Sequence, residues 1–128
     1  MATQEDVVRI ASSLPGAVQN PTGFGFSVQI KGKLKGFVWV WLERVDPKKG
    51  RVPNPSVLAV RVPNLGTKEI LLSSGRAGLF TEPHYDGYPA VLVRLAEVEL
   101  DDLEDLIVES WRCLAPAGAV KEFNAEGG

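Results

Sequence analysis

Between positions 82 and 88 the chain places a carboxylate (Glu82), its only histidine (His84), a tyrosine (Tyr85), a second carboxylate (Asp86) and a further tyrosine (Tyr88). An extended backbone would turn Glu82, His84 and Asp86 to one side, as carboxylate, imidazole and carboxylate around a metal ion. Zinc prefers more nitrogen or sulfur than that set offers, and the iron facial triad needs two histidines. Pro83 and the Asp86-Gly87 pair favour a turn over an extended ladder. The expectation is a turn whose polar side chains cap backbone groups, with no metal. Cys113 and His84 are the remaining nucleophile and base. Cys113 falls late in an amphipathic segment beside Trp111 and Leu114, where a lone cysteine reads as a small core residue. It has no partner for an internal disulfide. Ser73 and Ser74 lack an elbow motif, and GFGF and GKLKG lack the spacing and ending of a phosphate loop. No catalytic residue, metal ligand or cofactor is therefore expected, and the domain reads as non-enzymatic.

Charge offers a second chemistry. Residues 30 to 76 hold ten basic side chains against three acids, net +7; the rest of the chain holds four against thirteen, net −9. Lys31, Lys33 and Lys35 fall at an expected hairpin tip, and Lys48, Lys49 and Arg51 on a long Pro-rich connection, ERVDPKKGRVPNP. Two cationic projections from one sheet edge can straddle a phosphate backbone. Trp39 and Trp41 can add stacking if their face is open. The competing readings are solubilising lysines and an aromatic core or dimer seam. The sequence pI of about 5.4 weighs against nucleic acid. Six acids between Glu97 and Asp105 match the dipole of a helix start better than a cation site.

These residues need a scaffold. Thr3 and Asp6 have capping-box spacing, and Val7, Val8, Ile10, Ala11 and Leu14 form an apolar stripe, ended by Pro15-Gly16. Phe24, Phe26, Val28 and Ile30 alternate with polar or small residues, which predicts a half-buried strand. In FVWVWL (37 to 42), Phe37, Trp39 and Trp41 share one face and Val38, Val40 and Leu42 the other, so both faces want cover. VLAVRV (57 to 62) is a third strand. Thr67 is the expected cap of a short helix, and Gly75 closes it. Leu79 to Thr81 and Ala90 to Leu95 are the last two strands. Glu99 is the expected cap of the final helix, with Val98 and Leu103 as a hydrophobic staple, Leu106, Ile107, Trp111 and Leu114 on its apolar face, and Pro116 and Gly118 ending it. The order α-β-β-β-α-β-β-α predicts an α+β, two-layer domain: a mainly antiparallel five-stranded sheet with three helices on one face.

The bulk properties agree with a single domain over 1–128, its core about 3–123. With 128 residues, 45% hydrophobic and 23% charged, a chain buries roughly two-thirds of its unfolded surface. MATQEDVVRI lacks the basic start of a signal peptide, and no apolar run reaches membrane-spanning length, so a cytoplasmic protein is expected.

LPG (14 to 16), GKLKG, VLAVRVPNLGTKEILL, FTEPHYDGYPAVLVRL (80 to 95) and VELDDLEDLIVESWRCLAP (98 to 116) together resemble the MmcQ/YjbR-like family. The resemblance runs from about residue 3 to 123. It implies a two-layer domain with a frataxin-like sheet and a "double wing" DNA-binding role, without a catalytic one. The family's signature loop falls on Phe80, Thr81, Pro83, His84, Tyr85, Gly87 and Pro89, its helix tryptophan on Trp111, and its Ala-Pro on Ala115 and Pro116. Ala117 and Gly118 stand where members often carry basic residues, and Glu99 where they carry an aspartate cap. The resemblance and the charge pattern make DNA the expected partner, through Lys31, Lys33, Lys35, Lys48, Lys49 and Arg51. The alternative is a protein- or small-ligand-binding module. That module would be a homodimer through Phe37, Trp39 and Trp41, or would use a pocket at Phe80, His84, Tyr85 and Tyr88.

Overall fold

A computed structural model describes residues 2–20, 24–30, 32–43, 52–82, 85 and 87–125, without the side chains of 41–43, 52–55 and 124–125. Helix α1 (Gln4–Ser12) opens with the expected capping box: Asp6 N donates to Thr3 Oγ1 at 3.3 Å, and Thr3 N to Asp6 Oδ2 at 2.9 Å. Strands β1 (Ala17–Gln19), β2 (Gly25–Ile30), β3 (Lys33–Glu43) and β4 (Val52–Arg61) follow, then α2 (Leu65–Leu72), β5 (Leu79–Phe80), β6 (Ala90–Arg94), α3 (Leu100–Leu114) and α4 (Ala117–Ala125). The sheet order is β1-β2-β3-β4-β6-β5, with every neighbouring pair antiparallel. The α+β, antiparallel architecture is as the sequence predicts.

Among the described residues the counts differ: six strands rather than five, and four helices rather than three. Gly16, at φ 76°, turns the chain out of α1 so that Ala17, Val18 and Gln19 pair with Val28, Ser27 and Phe26. Three residues are too few to show a period. At the other end Pro116 starts a helix as well as ending one. A proline gives up only an N–H that a first turn leaves unbonded, and its carbonyl accepts from Ala119 N at 3.0 Å and Val120 N at 3.1 Å. Two caps also differ. Asn64, not Thr67, caps α2, its Oδ1 accepting from Thr67 N at 2.8 Å. Glu99 holds the cap position of α3 without a side-chain cap bond. The staple residues Val98 and Leu103 are fully buried.

One main core lies between the sheet and the helices. A cross-strand row Phe26–Val38–Val60–Val91 faces Val7, Ile10, Leu103, Ile107 and Trp111. Partly buried Leu71 and Leu72 of α2, and Val120 and Phe123 of α4, pack on the same core. Each large side chain removed from water contributes roughly 1.5–3 kcal/mol. Trp111 is fully buried, and its indole N–H donates to Pro15 O at 2.9 Å, so burial leaves no orphan donor.

The face assignment within β3 needs correction. The β2–β3 register slips between Phe26 and Ser27: Phe26 pairs with Val38 but Ser27 with Gly36, leaving Phe37 as the extra residue of a β-bulge. Phe37 and Val38 therefore both enter the helix-side core, and Phe37 does not share a face with Trp39. The bulge's Phe37 carbonyl accepts from the buried Ser110 hydroxyl of α3 at 2.8 Å. The connection after β3 is also shorter than expected. β4 begins at Val52, with Trp41 opposite Asn54 after a second register shift, so only residues 44–51 link the strands.

Candidate functional site

On the sheet face opposite the helices, a row Gly25–Trp39–Ala59–Leu92–Phe80 crosses five strands. A small second cluster forms there, in which Trp39, Phe80 and Tyr85 pack on Val57, Ala59 and Leu92. No helix residue belongs to it among the described residues.

The signature segment supplies the partial cover. Tyr85 N donates to Glu82 O at 2.8 Å and Tyr88 N to Tyr85 O at 3.0 Å, and Gly87 takes φ 77°. This is a turn, as the Pro and Asp-Gly placements imply. Tyr85 receives a hydrogen bond on its hydroxyl from Trp39 Nε1 at 3.1 Å. Tyr88 stands edge-on to both Trp39 and Tyr85, with centroids 6.4 and 5.7 Å apart. Lys68 fixes the turn from behind. Buried in α2, its ammonium donates to the carbonyl oxygens of Tyr85 and of Tyr88, the latter at 2.9 Å.

Beside this cluster lies an open recess of about 420 Å³ lined by Asn20, Ser27, Leu34, Gly36, Trp39, Arg61 and Tyr88. A Cβ at Gly36 would make only ordinary contact with the indole, 3.6 Å from Trp39 Cε3. Arg61 lies across it, Nε donating to Gly36 O at 2.8 Å and the guanidinium 5.7 Å from the Trp39 ring centroid. Asn20 Oδ1 accepts from the Ser27 hydroxyl. Farther along the face the Arg94 guanidinium stacks 4.2 Å above the Phe80 ring.

The remaining candidates scatter. Lys33 and Lys35 are exposed at the start of β3, but their cross-strand partners Ile30 and Val28 are on the helix side. Paired residues share a face, so these lysines do not converge with the aromatic row. Lys31, Lys48, Lys49, Arg51 and His84 lie outside the described residues, as does the side chain of Trp41. Phe37 is fully buried in the chain's own core, which removes it from any interface. Cys113 is exposed, correcting its reading as a core residue. Its sulfur donates to Ser110 O at 3.0 Å. Local desolvation pushes the thiol above its ordinary range, and Glu109 adds to the rise, while the Arg61 charge and a backbone hydrogen bond pull the other way. The thiol is thereby kept protonated, the opposite of an activated nucleophile. No group of three His, Cys, Asp or Glu with metal-site geometry occurs among the described residues. No helix among them is long and apolar enough to cross a membrane.

Sequence reasoning missed Arg61 and Lys68. Arg61 stood in a strand pattern with nothing to set it apart. Lys68 carried no signal either, since its burial, with Leu65 and Ile70 exposed, shows only in the fold.

No family model matches the chain. It is 39% identical to "Uncharacterized protein Rv2570" of Mycobacterium tuberculosis (strain ATCC 25618 / H37Rv) over 129 residues, covering all of both proteins. The same identity and coverage hold for "Uncharacterized protein Mb2600" of Mycobacterium bovis. Among solved structures, Deinococcus radiodurans protein DR2400, a DUF419 domain, aligns with a TM-score of 0.61 over 97% of this chain and 89% of that one. At 19% identity that likeness is one of fold. With 39% identity along its whole length, the chain belongs to the family of these mycobacterial proteins, built on the fold that the DUF419 domain also has.

Proposed function

We propose that this chain is a non-catalytic, MmcQ/YjbR-like nucleic-acid-binding domain that uses the sheet face opposite the helices together with the β2–β3 hairpin. The observation that carries this reading is the pairing of cations with rings on the sheet face where, among the described residues, no α-helix packs: Arg61 with Trp39, and Arg94 with Phe80. Rings stack on bases, and guanidinium groups donate to phosphate oxygens. The carboxylates Asp101, Asp102, Glu104, Asp105 and Glu109 lie on α3, in the layer opposite that face. This separation steers a polyanion toward the sheet side. The recess brings the Arg61 guanidinium and the Asn20 amide beside the Trp39 and Tyr88 rings, a set suited to holding an anion and a flat ring. In the double-wing version of this reading, Lys31, Lys33 and Lys35 form one wing and Lys48, Lys49 and Arg51 the other.

The test is a titration of labelled duplex and labelled single strand across a salt series. Binding should weaken with salt, and replacing Lys33 and Lys35 by glutamine should lower the log–log slope by about 1 per lost phosphate contact. Absence of binding to both at ~50 mM salt ends this reading.

A protein-docking or homodimer reading draws on the exposure of Leu34 and Tyr88 beside Trp39. Sedimentation of the parent beside Leu34→Ser addresses it. A concentration-dependent dimer lost in the variant supports it, and a monomer in both removes the dimer.

A further inference from the structure

Five arginines lie among the described residues. Arg9 pairs with Asp6, Arg76 with Asp102, Arg94 with Glu97 and Arg112 with Glu109, all within 3.5 to 3.8 Å. Arg61 has no carboxylate at ion-pair distance among the described residues, although it is half-buried. Its Nε is engaged by the Gly36 carbonyl. A guanidinium has five N–H donors in a fixed fork, and half-burying one without a counter-ion is costly. An anion from outside would supply the missing charge.

The surroundings narrow the anion's chemistry. Trp39 and Tyr88 meet at 85°, so one presents an edge where the other presents a face, and Tyr88 is 40% exposed. Asn20 Oδ1 accepts from the Ser27 hydroxyl, which fixes the amide and leaves its N–H groups as donors. The recess volume, about 420 Å³, falls in the range of small-ligand sites. A cation, two rings and an amide donor suit a ligand with an anionic end and a flat, acceptor-bearing end.

We infer that the recess around Arg61, Trp39, Tyr88 and Asn20 takes a nucleotide whose base is unpaired. Its phosphate lies on the Arg61 guanidinium, and its base lies against Tyr88 and Trp39 within reach of the Asn20 amide. The ligand class rests on the nucleic-acid reading above, but the inference is narrower. A duplex keeps its bases stacked and paired and offers this recess only phosphates. A single strand can splay one base into it. A free mononucleotide has the same chemistry.

The test is a fluorescence titration of the full chain with thymidine monophosphate, with an oligothymidylate of about twelve nucleotides, and with a duplex of equal length. It uses the parent, Arg61→Gln, Arg61→Lys and Tyr88→Ala, each checked for parent-like circular dichroism. The single strand should bind more tightly than the duplex at equal salt. Arg61→Gln and Tyr88→Ala should each weaken it by roughly tenfold, and Arg61→Lys by less. Equal affinity for monophosphate and strand assigns the site to a free nucleotide; a strand preference assigns it to single-stranded nucleic acid. Duplex preference, or single-strand binding unchanged in Arg61→Gln and Tyr88→Ala, overturns the inference while leaving the nucleic-acid reading intact. Monophosphate binding without strand binding does the reverse.

Discussion

The Lys68 ammonium, buried in α2, donates to the Tyr88 carbonyl oxygen at 2.9 Å, and the same nitrogen serves the Tyr85 carbonyl. A turn that would otherwise sit loosely over the sheet is thereby fixed by a charge from the neighbouring helix. Lys68→Met keeps the stem and removes the donor. It should lower stability by about 2–3 kcal/mol, because two carbonyl groups lose a charged partner. It should also change the Trp39 environment, since the turn carries the hydroxyl bonded to the indole. Chemical denaturation followed by tryptophan emission checks both, and a parent-like midpoint would remove Lys68 from this role.

Gly25 opposes Trp39 at the end of the open-face row. A Cβ at this position would stand 2.6 Å from Val38 O and 2.7 Å from Asn20 Nδ2. Both neighbours are fixed, one by the β2–β3 ladder and the other by Ser27. Gly25→Ala should cost about 3 kcal/mol by overpacking. Any ligand affinity of the recess should fall with it, because Asn20 must move. A thermal melt of the variant tests the first effect.

Ser110 is the one polar residue on the buried face of α3, and its hydroxyl serves the carbonyl of the bulged Phe37. Ser110→Ala should destabilise by about 1–2 kcal/mol through an unsatisfied buried acceptor. Amide exchange should accelerate around residues 36–38 before it does so in β6.

Cys113 gives a pH test. Its thiol is held above the ordinary range in the folded chain, chiefly by desolvation. The folded state therefore keeps its proton longer than the unfolded one. This contribution to stability is full below the unfolded thiol's pKa and is lost as pH rises through the folded pKa. Alkylation by iodoacetamide should show a midpoint displaced to higher pH than a cysteine peptide, and the displacement should vanish in urea. A midpoint equal to the peptide's would contradict it.

Legibility in the sequence followed the range of the forces involved. The Thr3–Asp6 box, the Val98–Leu103 staple and the apolar stripe of α3 depend on residues three to five apart, and each appears as read. The turn marked by the bonds from Tyr85 N to Glu82 O and from Tyr88 N to Tyr85 O was legible for the same reason, since each bond spans three residues. The facing of β3 was not legible. A bulge is one unpaired residue, and only the register of the neighbouring strand reveals that Phe37 turns inward with Val38. The recess was hidden too, because Asn20, Arg61 and Tyr88 come from three distant segments and meet only once β1, β2, β3, β4 and β6 pair. The basic wings, by contrast, were a statement about composition. The two wing lysines that are described point away from the aromatic row.

The bond from Trp111 to Pro15 joins residues 96 positions apart. Strands β1 to β4 follow one another as neighbours and can zip as soon as they are made, but β6 enters beside β4 only after α2 and β5 have passed. Val7, Ile10, Phe26 and Phe37 then still await α3 for cover. The sheet laid down by β1 to β4 therefore presents an oily slab that stays open until α3, about forty residues farther along, arrives to close it.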